Sequence, residues 1–164
     1  MIGKRPGASV YAAMNTLTYA SLSKSVWLGA NSLLDVSGTT VLDPLAALQT
    51  NPDGSRSALR SGRVLDGGTV TLSNDSGYIV ALDGARIEAS GSSDRLDLLT
   101  ATGSPLPGQG YRYGGSAANV WSDGGSIRIG AAGGLLFDGA LHAAAGGPRA
   151  RGGSLSITAT SSGD

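Results

Sequence analysis

The chain has no cysteine, and aromatic residues make up only 5% of its 164 residues. Without cysteine, disulfide bonds and thiolate metal ligands are excluded, so the fold must depend on packing and on backbone hydrogen bonds. Neither sign of charge is in excess, because twelve basic residues balance twelve acidic ones. A neutral chain has no net charge to attract nucleic acid or an anionic membrane, so we expect no nucleic-acid partner.

Long hydrophobic runs are also missing. No stretch approaches the roughly 18 apolar residues that a membrane-spanning helix needs. The first residues are charged like the start of a signal peptide, but Pro6, Ser9 and Asn15 interrupt the apolar segment that should follow. The sequence therefore predicts no signal peptide and no anchor in this chain.

Glycine, in contrast, is abundant, with 27 residues against an average of about 7%. Pairs of glycines open segments of alternating polarity at positions 67–68, 124–125 and 152–153, and the last two pairs are 28 residues apart. A fixed period in this range indicates a repeat architecture. Such a unit buries its apolar face by stacking on its own copies.

Each unit is predicted to contain three short strands separated by glycine turns. We place coils at about 16–38, 67–91 and 124–147, a partial coil at 152–158, and insertions at about 39–66 and 92–123. The predicted fold class is all-β, a parallel β-solenoid in a single segment covering 1–164. A glycine-rich β-sandwich is the alternative, and the lack of Asn-Gly hairpin turns disfavours it.

Alternation along these strands also predicts the core. Its members are Val26, Leu28, Leu34, Val36, Val70, Leu72, Ile79, Ile87, Ile127, Ile129, Leu136, Leu141, Leu155 and Ile157. The glycines that separate the predicted strands are expected to supply positive φ angles at sharp turns. The final strands of the second and third coils disagree in phase by one residue when they are aligned on Asp83 and Asp138, so a turn must absorb the difference.

The two insertions differ in their local signals. In the first, Asp43 is a candidate N-cap and Pro44 fits the first helical position, which predicts a short helix over 43–48. A turn is predicted at Asn51–Gly54. The second insertion is rich in proline and glycine and is predicted to be loop-like.

Four stretches in this order resemble the filamentous-haemagglutinin-like exoproteins of Gram-negative bacteria. They are 28–44 (LGANSLLDVSGTTVLDP), 67–72 (GGTVTL), 83–91 (DGARIEASG) and 144–148 (AAGGP). The resemblance implies a right-handed parallel β-helix and an adhesive role in a secreted or surface-displayed protein, of which this chain is an internal fragment. It also implies an outer-membrane transporter partner, a host-surface or glycan receptor, and neighbouring coils of a longer parent chain.

Catalytic and metal-binding patterns are weak. His142 is the single histidine and, by alternation, points away from the core beside Leu141, so no histidine pair is available for a metal. Aspartates 66, 83, 123 and 138 recur beside glycines, which is typical of turns, although a stacked carboxylate row is the alternative. We predict no enzyme activity, no metal site and no cofactor.

One aromatic and basic cluster lies outside the predicted coils, at Tyr111, Arg112, Tyr113 and Trp121. These side chains have the chemistry to stack on sugars or on a partner. The alternative, which we favour, is that they cap the flank of the solenoid. The leading hypothesis for function is a structural and adhesive segment. The alternatives are a carbohydrate-active β-helix enzyme and a polysaccharide-binding solenoid.

Overall fold

The computed structural model describes residues 16–21, 25–46, 48–50, 53–102 and 112–159, and all regular structure in these ranges is β-strand. The strands are β1 Thr16–Ser21, β2 Val26–Leu28, β3 Leu33–Asp35, β4 Thr40–Leu42, β5 Leu48–Thr50, β6 Arg56–Ala58, β7 Gly62–Val64, β8 Thr69–Asn74, β9 Tyr78–Ala81, β10 Arg86–Glu88, β11 Ser93–Thr102, β12 Arg112–Trp121, β13 Ser126–Ala131, β14 Gly134–Phe137, β15 Ala140–His142 and β16 Ser154–Ala159. The predicted all-β class is confirmed. None of the described residues belongs to a helix with the length and apolar character needed to cross a bilayer.

Three small parallel sheets form the centre of the molecule. Sheet A has the order β1-β8-β13-β16, sheet B has β2-β9-β14, and sheet C has β3-β10-β15. The chain passes from sheet A to B to C three times in the same order and then adds β16 to sheet A. Strands that are neighbours in a sheet are therefore far apart in sequence.

The core lies between these sheets and is built from alternate residues of their strands. Strand β8 shows the pattern most clearly, with Val70 and Leu72 buried and their neighbours Thr69 and Thr71 only half-buried. The buried members of the predicted core are Val26, Leu28, Val70, Leu72, Ile79, Ile87, Ile127 and Ile129. Three more, Leu34, Val36 and Leu141, are partly buried against them.

The prediction of a buried side chain is wrong at three positions. Leu136 is 64% exposed, because in β14 the residues facing the core are Leu135 and Phe137. Leu155 and Ile157 are about half exposed. They lie in β16, which pairs only with β13 among the described strands, so one side of each is uncovered.

The register shows how the phase difference between repeats is absorbed. In sheet A, Thr69 pairs with Ser126, and in sheet C, Arg86 pairs with Ala140. This register makes Gly84 equivalent to Asp138, whereas the sequence comparison aligned Asp83 with Asp138, one residue earlier. The turn from sheet B to sheet C is therefore shorter after β14 than after β9, and Ile87 and Leu141 both face inward.

The expected reason for the glycine pairs is wrong. Among the described glycines, positive φ angles occur at Gly54, Gly84 and Gly134, and not at the pairs that precede β8 and β13. There the neighbouring backbone leaves no space. A Cβ on Gly125 would collide with the carbonyl oxygen of Gly68 and lie 2.6 Å from the carbonyl carbon of Gly67. The glycines are needed for close approach of stacked chain segments.

The short helix predicted over 43–48 is also wrong. The side chain of Asp43 accepts a hydrogen bond from the Leu45 amide at 2.9 Å, and the Asp43 amide donates to the Ser61 carbonyl. Residues 44–45 form a turn, and β5 then pairs antiparallel with β6. An isolated helix this short is unstable, so strand pairing prevails. Of the predicted turn, Asp53 and Gly54 lie within the described residues and form it; Gly54 has φ +83°.

Both insertions are β-hairpins that leave the centre between sheet C and sheet A. Hairpin 1 spans 40–64, with β4 paired to β7 and β5 to β6. Hairpin 2 spans 93–121 and pairs β11 with β12 antiparallel over ten residues. The predicted loop at 92–123 is therefore wrong for its described part. After β15 the same connection is made by residues 143–153, which contain no strand.

Candidate functional site

Hairpins 1 and 2 contact each other beside the central sheets. Leu59 and Leu96 are buried, at 3% and 2% exposure, and the Leu59 side chain fills the space where a Cβ on Gly115 would lie. The Asp97 amide donates to the Arg60 carbonyl, and the Arg60 amide donates to the Asp97 carboxylate at 2.7 Å. The two insertions thus share a small apolar contact that is bordered by hydrogen bonds.

An ion pair strengthens this contact. The Arg60 guanidinium donates to the Asp94 carboxylate at 2.7 Å. That hydrogen bond lowers the pKa of Asp94 from its usual value, and further hydrogen bonds from the Arg95 amide and the Thr40 side chain act in the same direction. Asp94 therefore links hairpin 2 to two parts of hairpin 1 while it is ionised.

Trp121 lies at the end of hairpin 2, where the chain returns to sheet A. Its indole ring occupies the space beside Gly147, where a Cβ would collide with it, and the Arg149 guanidinium carbon is 5.9 Å from the ring centroid. This distance is within the range of a cation–π interaction. These contacts are those of an aromatic side chain that packs against its own flank.

An open groove of about 300 Å³ runs along hairpin 2 beside Trp121. It is lined by Ser93, Asp94, Arg95, Asn119 and Trp121. The structure says less about the three other candidate glycan-contact residues. Arg112 and Tyr113 belong to β12, opposite Thr102 and Ala101, and Tyr111 lies outside the described residues. The prediction that this cluster contacts a glycan stays a prediction.

The recurring aspartates fall into two separate places. Asp66 accepts a hydrogen bond from the Asp123 amide at 2.9 Å, and Asp123 accepts one from the Arg151 amide at 2.8 Å. Each carboxylate thus holds the equivalent backbone position of the next segment, just before sheet A. Asp83 and Asp138 lie instead in the connection from sheet B to sheet C. The four do not form one row.

The single histidine lies on the outer face of sheet C. His142 is directly in register with Glu88, and its Nδ1 is 3.3 Å from Glu88 Oε1. Asp35 follows Glu88 in register on the other side. No three His, Cys, Asp or Glu side chains within the described ranges are arranged to hold a metal ion.

Sequence reasoning missed two buried polar residues that fix the corners. Asn74, at 2% exposure, accepts hydrogen bonds from the amides of Gly77 and Ser76 and donates to the Tyr78 carbonyl. Ser122 accepts from the Ser92 amide at 2.8 Å and holds the base of hairpin 2. An asparagine or serine next to an apolar strand was the available signal, but neither pattern is distinctive in a serine-rich chain.

Comparison with known proteins adds no further information, because no protein family, curated protein or solved structure matches this chain. The resemblance to filamentous-haemagglutinin-like exoproteins therefore rests on the four sequence stretches alone.

Proposed function

We propose that sheets A, B and C are the three faces of a right-handed parallel β-helix, with hairpins 1 and 2 as lateral insertions. The observation that supports this proposal is the chain order: the same three sheets are visited three times in the same sequence, always with parallel pairing. Parallel strands need crossover connections, and here each crossover runs through the other two sheets. Each coil, meaning one run of the chain through sheets A, B and C, then covers the apolar residues of the coil before it.

The function that this arrangement supports best is structural and adhesive. The chain is a segment of a large secreted or surface-displayed bacterial protein of the filamentous-haemagglutinin-like type. The inner positions are occupied by packing residues such as Val70 and Ile127, which leaves the outer faces and the two hairpins for display. Export through an outer-membrane transporter and contact with a host-surface or glycan receptor belong to the same proposal.

Engineered cysteine pairs test the β-helix, because the chain has no cysteine of its own. Thr71 and Arg128 are in-register neighbours in sheet A, so their Cα atoms are separated by about 4.8 Å, within disulfide range. Thr71→Cys/Arg128→Cys should oxidise to an intramolecular disulfide. The control Thr71→Cys/Ser156→Cys spans two strand spacings in the same register and should not. A disulfide in the control alone would contradict parallel in-register pairing.

Adhesion is tested with beads coated with the folded chain and applied to epithelial cell layers. Beads coated with thermally unfolded chain are the control, since they carry the same composition without the folded faces. More adhesion by the folded coating is expected, and equal adhesion would contradict the proposal. The alternative is a carbohydrate-active or polysaccharide-binding β-helix protein, and release of unsaturated sugars from a polysaccharide panel would favour its carbohydrate-active form.

A further inference from the structure

The outer faces of the three sheets differ in chemistry. Sheet A presents polar and basic side chains, such as Thr71 and Arg128, and sheet C presents the polar pair of Glu88 and His142. Strands β2, β9 and β14 of sheet B read VWL, YIVA and GLLF, and contain no charged residue. The outer face of sheet B is therefore the apolar face of the central part of the molecule.

A row of large side chains crosses this face. Trp27, Val80 and Leu136 are directly in register on adjacent strands, and all three point away from the core. Trp27 and Leu136 are each 64% exposed, whereas Val80 between them is only 7% exposed. Val80 is thus covered by its neighbours, and the row is a continuous apolar strip.

A second aromatic side chain extends the strip. Tyr78 is 57% exposed and lies two residues before Val80 on the same face. Its partner in register is Gly134, where a Cβ would be 3.0 Å from the Tyr78 ring, so the ring lies across the glycine. By strand geometry, Tyr78 and Trp27 are diagonal neighbours with Cα atoms about 7–8 Å apart. We call Trp27, Tyr78, Val80 and Leu136 the aromatic strip.

We propose that the aromatic strip binds an uncharged polysaccharide chain. The absence of charge on all three strands gives an anionic or cationic partner no counter-charge there, and electrostatic complementarity is what selects charged partners. A sugar ring has an apolar C–H face that packs on an aromatic ring, while its hydroxyl groups remain in water. Two aromatic rings on a flat face provide such stacking positions for successive sugars.

The size of the strip argues against a second copy of the chain as the occupant. The exposed parts of Trp27, Tyr78 and Leu136 together amount to roughly 300–400 Å². A stable protein interface buries about 800 Å² on each partner. The strip is in the range of a small functional patch. This inference rests on the proposed adhesive function and specifies its ligand class.

The test uses the full chain and a set of uncharged hexasaccharides, namely cellohexaose, mannohexaose and N-acetylchitohexaose, with anionic hexagalacturonate for comparison. Binding is measured by calorimetry. We expect at least one uncharged hexasaccharide to bind, with affinity reduced at least tenfold in Trp27→Ala and in Tyr78→Ala. Leu45→Ala is the control, because Leu45 is an apolar side chain of hairpin 1 with 89% exposure that lies outside the aromatic strip, and it should leave binding unchanged.

Several results would overturn the inference. These are no binding of any uncharged hexasaccharide, binding of the anionic one alone, or an equal loss in Leu45→Ala. Self-association that Trp27→Ala abolishes would show that a second copy occupies the strip. Circular dichroism and melting of each variant should match the parent, because the replaced side chains are mostly exposed. Failure of glycan binding while the in-register disulfide forms and beads adhere would refute this inference alone.

Discussion

Ile129 and Ile157 provide a matched test of where the core ends. The two residues are directly in register on β13 and β16 and face the same side, yet Ile129 is 2% exposed and Ile157 is 50% exposed. Replacing isoleucine with alanine removes three carbon groups, worth about 2.4 kcal/mol when fully buried. The cavity left behind adds to this, so Ile129→Ala should lower the free energy of unfolding by about 3–4 kcal/mol.

The same change at Ile157 should cost much less. Half of its side chain already contacts water, so the transfer contribution falls to about 1.2 kcal/mol, and no closed cavity forms. Urea unfolding followed by circular dichroism measures both values, provided that the slope m is unchanged between variants. A cost below 1 kcal/mol for Ile129→Ala, or a larger cost for Ile157→Ala than for Ile129→Ala, would refute the assignment of inner positions in sheet A.

Two further predictions concern close approach and pH. Gly125→Ala should lower the melting temperature by several degrees, because its Cβ would collide with the Gly68 carbonyl; Gly29→Ala, with nothing within 4 Å, should not. The folded-state pKa of Asp94 is lowered, so Asp94 stabilises the hairpin contact above its unfolded pKa of about 3.9 and ceases to do so as pH falls through the lower folded value. The protection of the Asp97 amide against hydrogen exchange, relative to its intrinsic rate, should therefore fall at acid pH, and Arg60→Met should remove most of this dependence. Exchange that is independent of pH after correction for its intrinsic rate would contradict the role of Asp94.

The strands of the central sheets were predictable because their signals are local. In β8 and β13, apolar residues alternate with polar ones and a glycine pair precedes each strand, so position and facing both follow from a few residues. In β14 the alternation pattern does not determine which residues face the core. Leu135, Leu136 and Phe137 are all apolar, so either phase of alternation places an apolar side chain inward.

Hairpin 2 was not predictable because one of its strands has a loop-like sequence and a non-local contact. The sequence of β12 begins Arg112-Tyr113-Gly114-Gly115, which is typical of a loop. Gly115 nevertheless lies in a strand, since Leu59 of hairpin 1 occupies the space where its side chain would be. This contact joins β12 to a segment more than fifty residues earlier, and strand preference follows such contacts more than intrinsic propensity.

The burial of strand β16 also could not be predicted from local sequence. Alternation correctly gives the facing of Leu155 and Ile157, because their in-register partners Ile127 and Ile129 point into the core. Facing is a property of the strand itself, whereas burial also requires a neighbour on each side, and β16 has one neighbour among the described strands. Among the described strands, the outer edge of β16 has no partner, and backbone groups at such an edge favour pairing with a further parallel strand. If such a strand pairs there in solution, Ile157 gains the cover that Ile129 already has, and Ile157→Ala should then destabilise the protein as much as Ile129→Ala does.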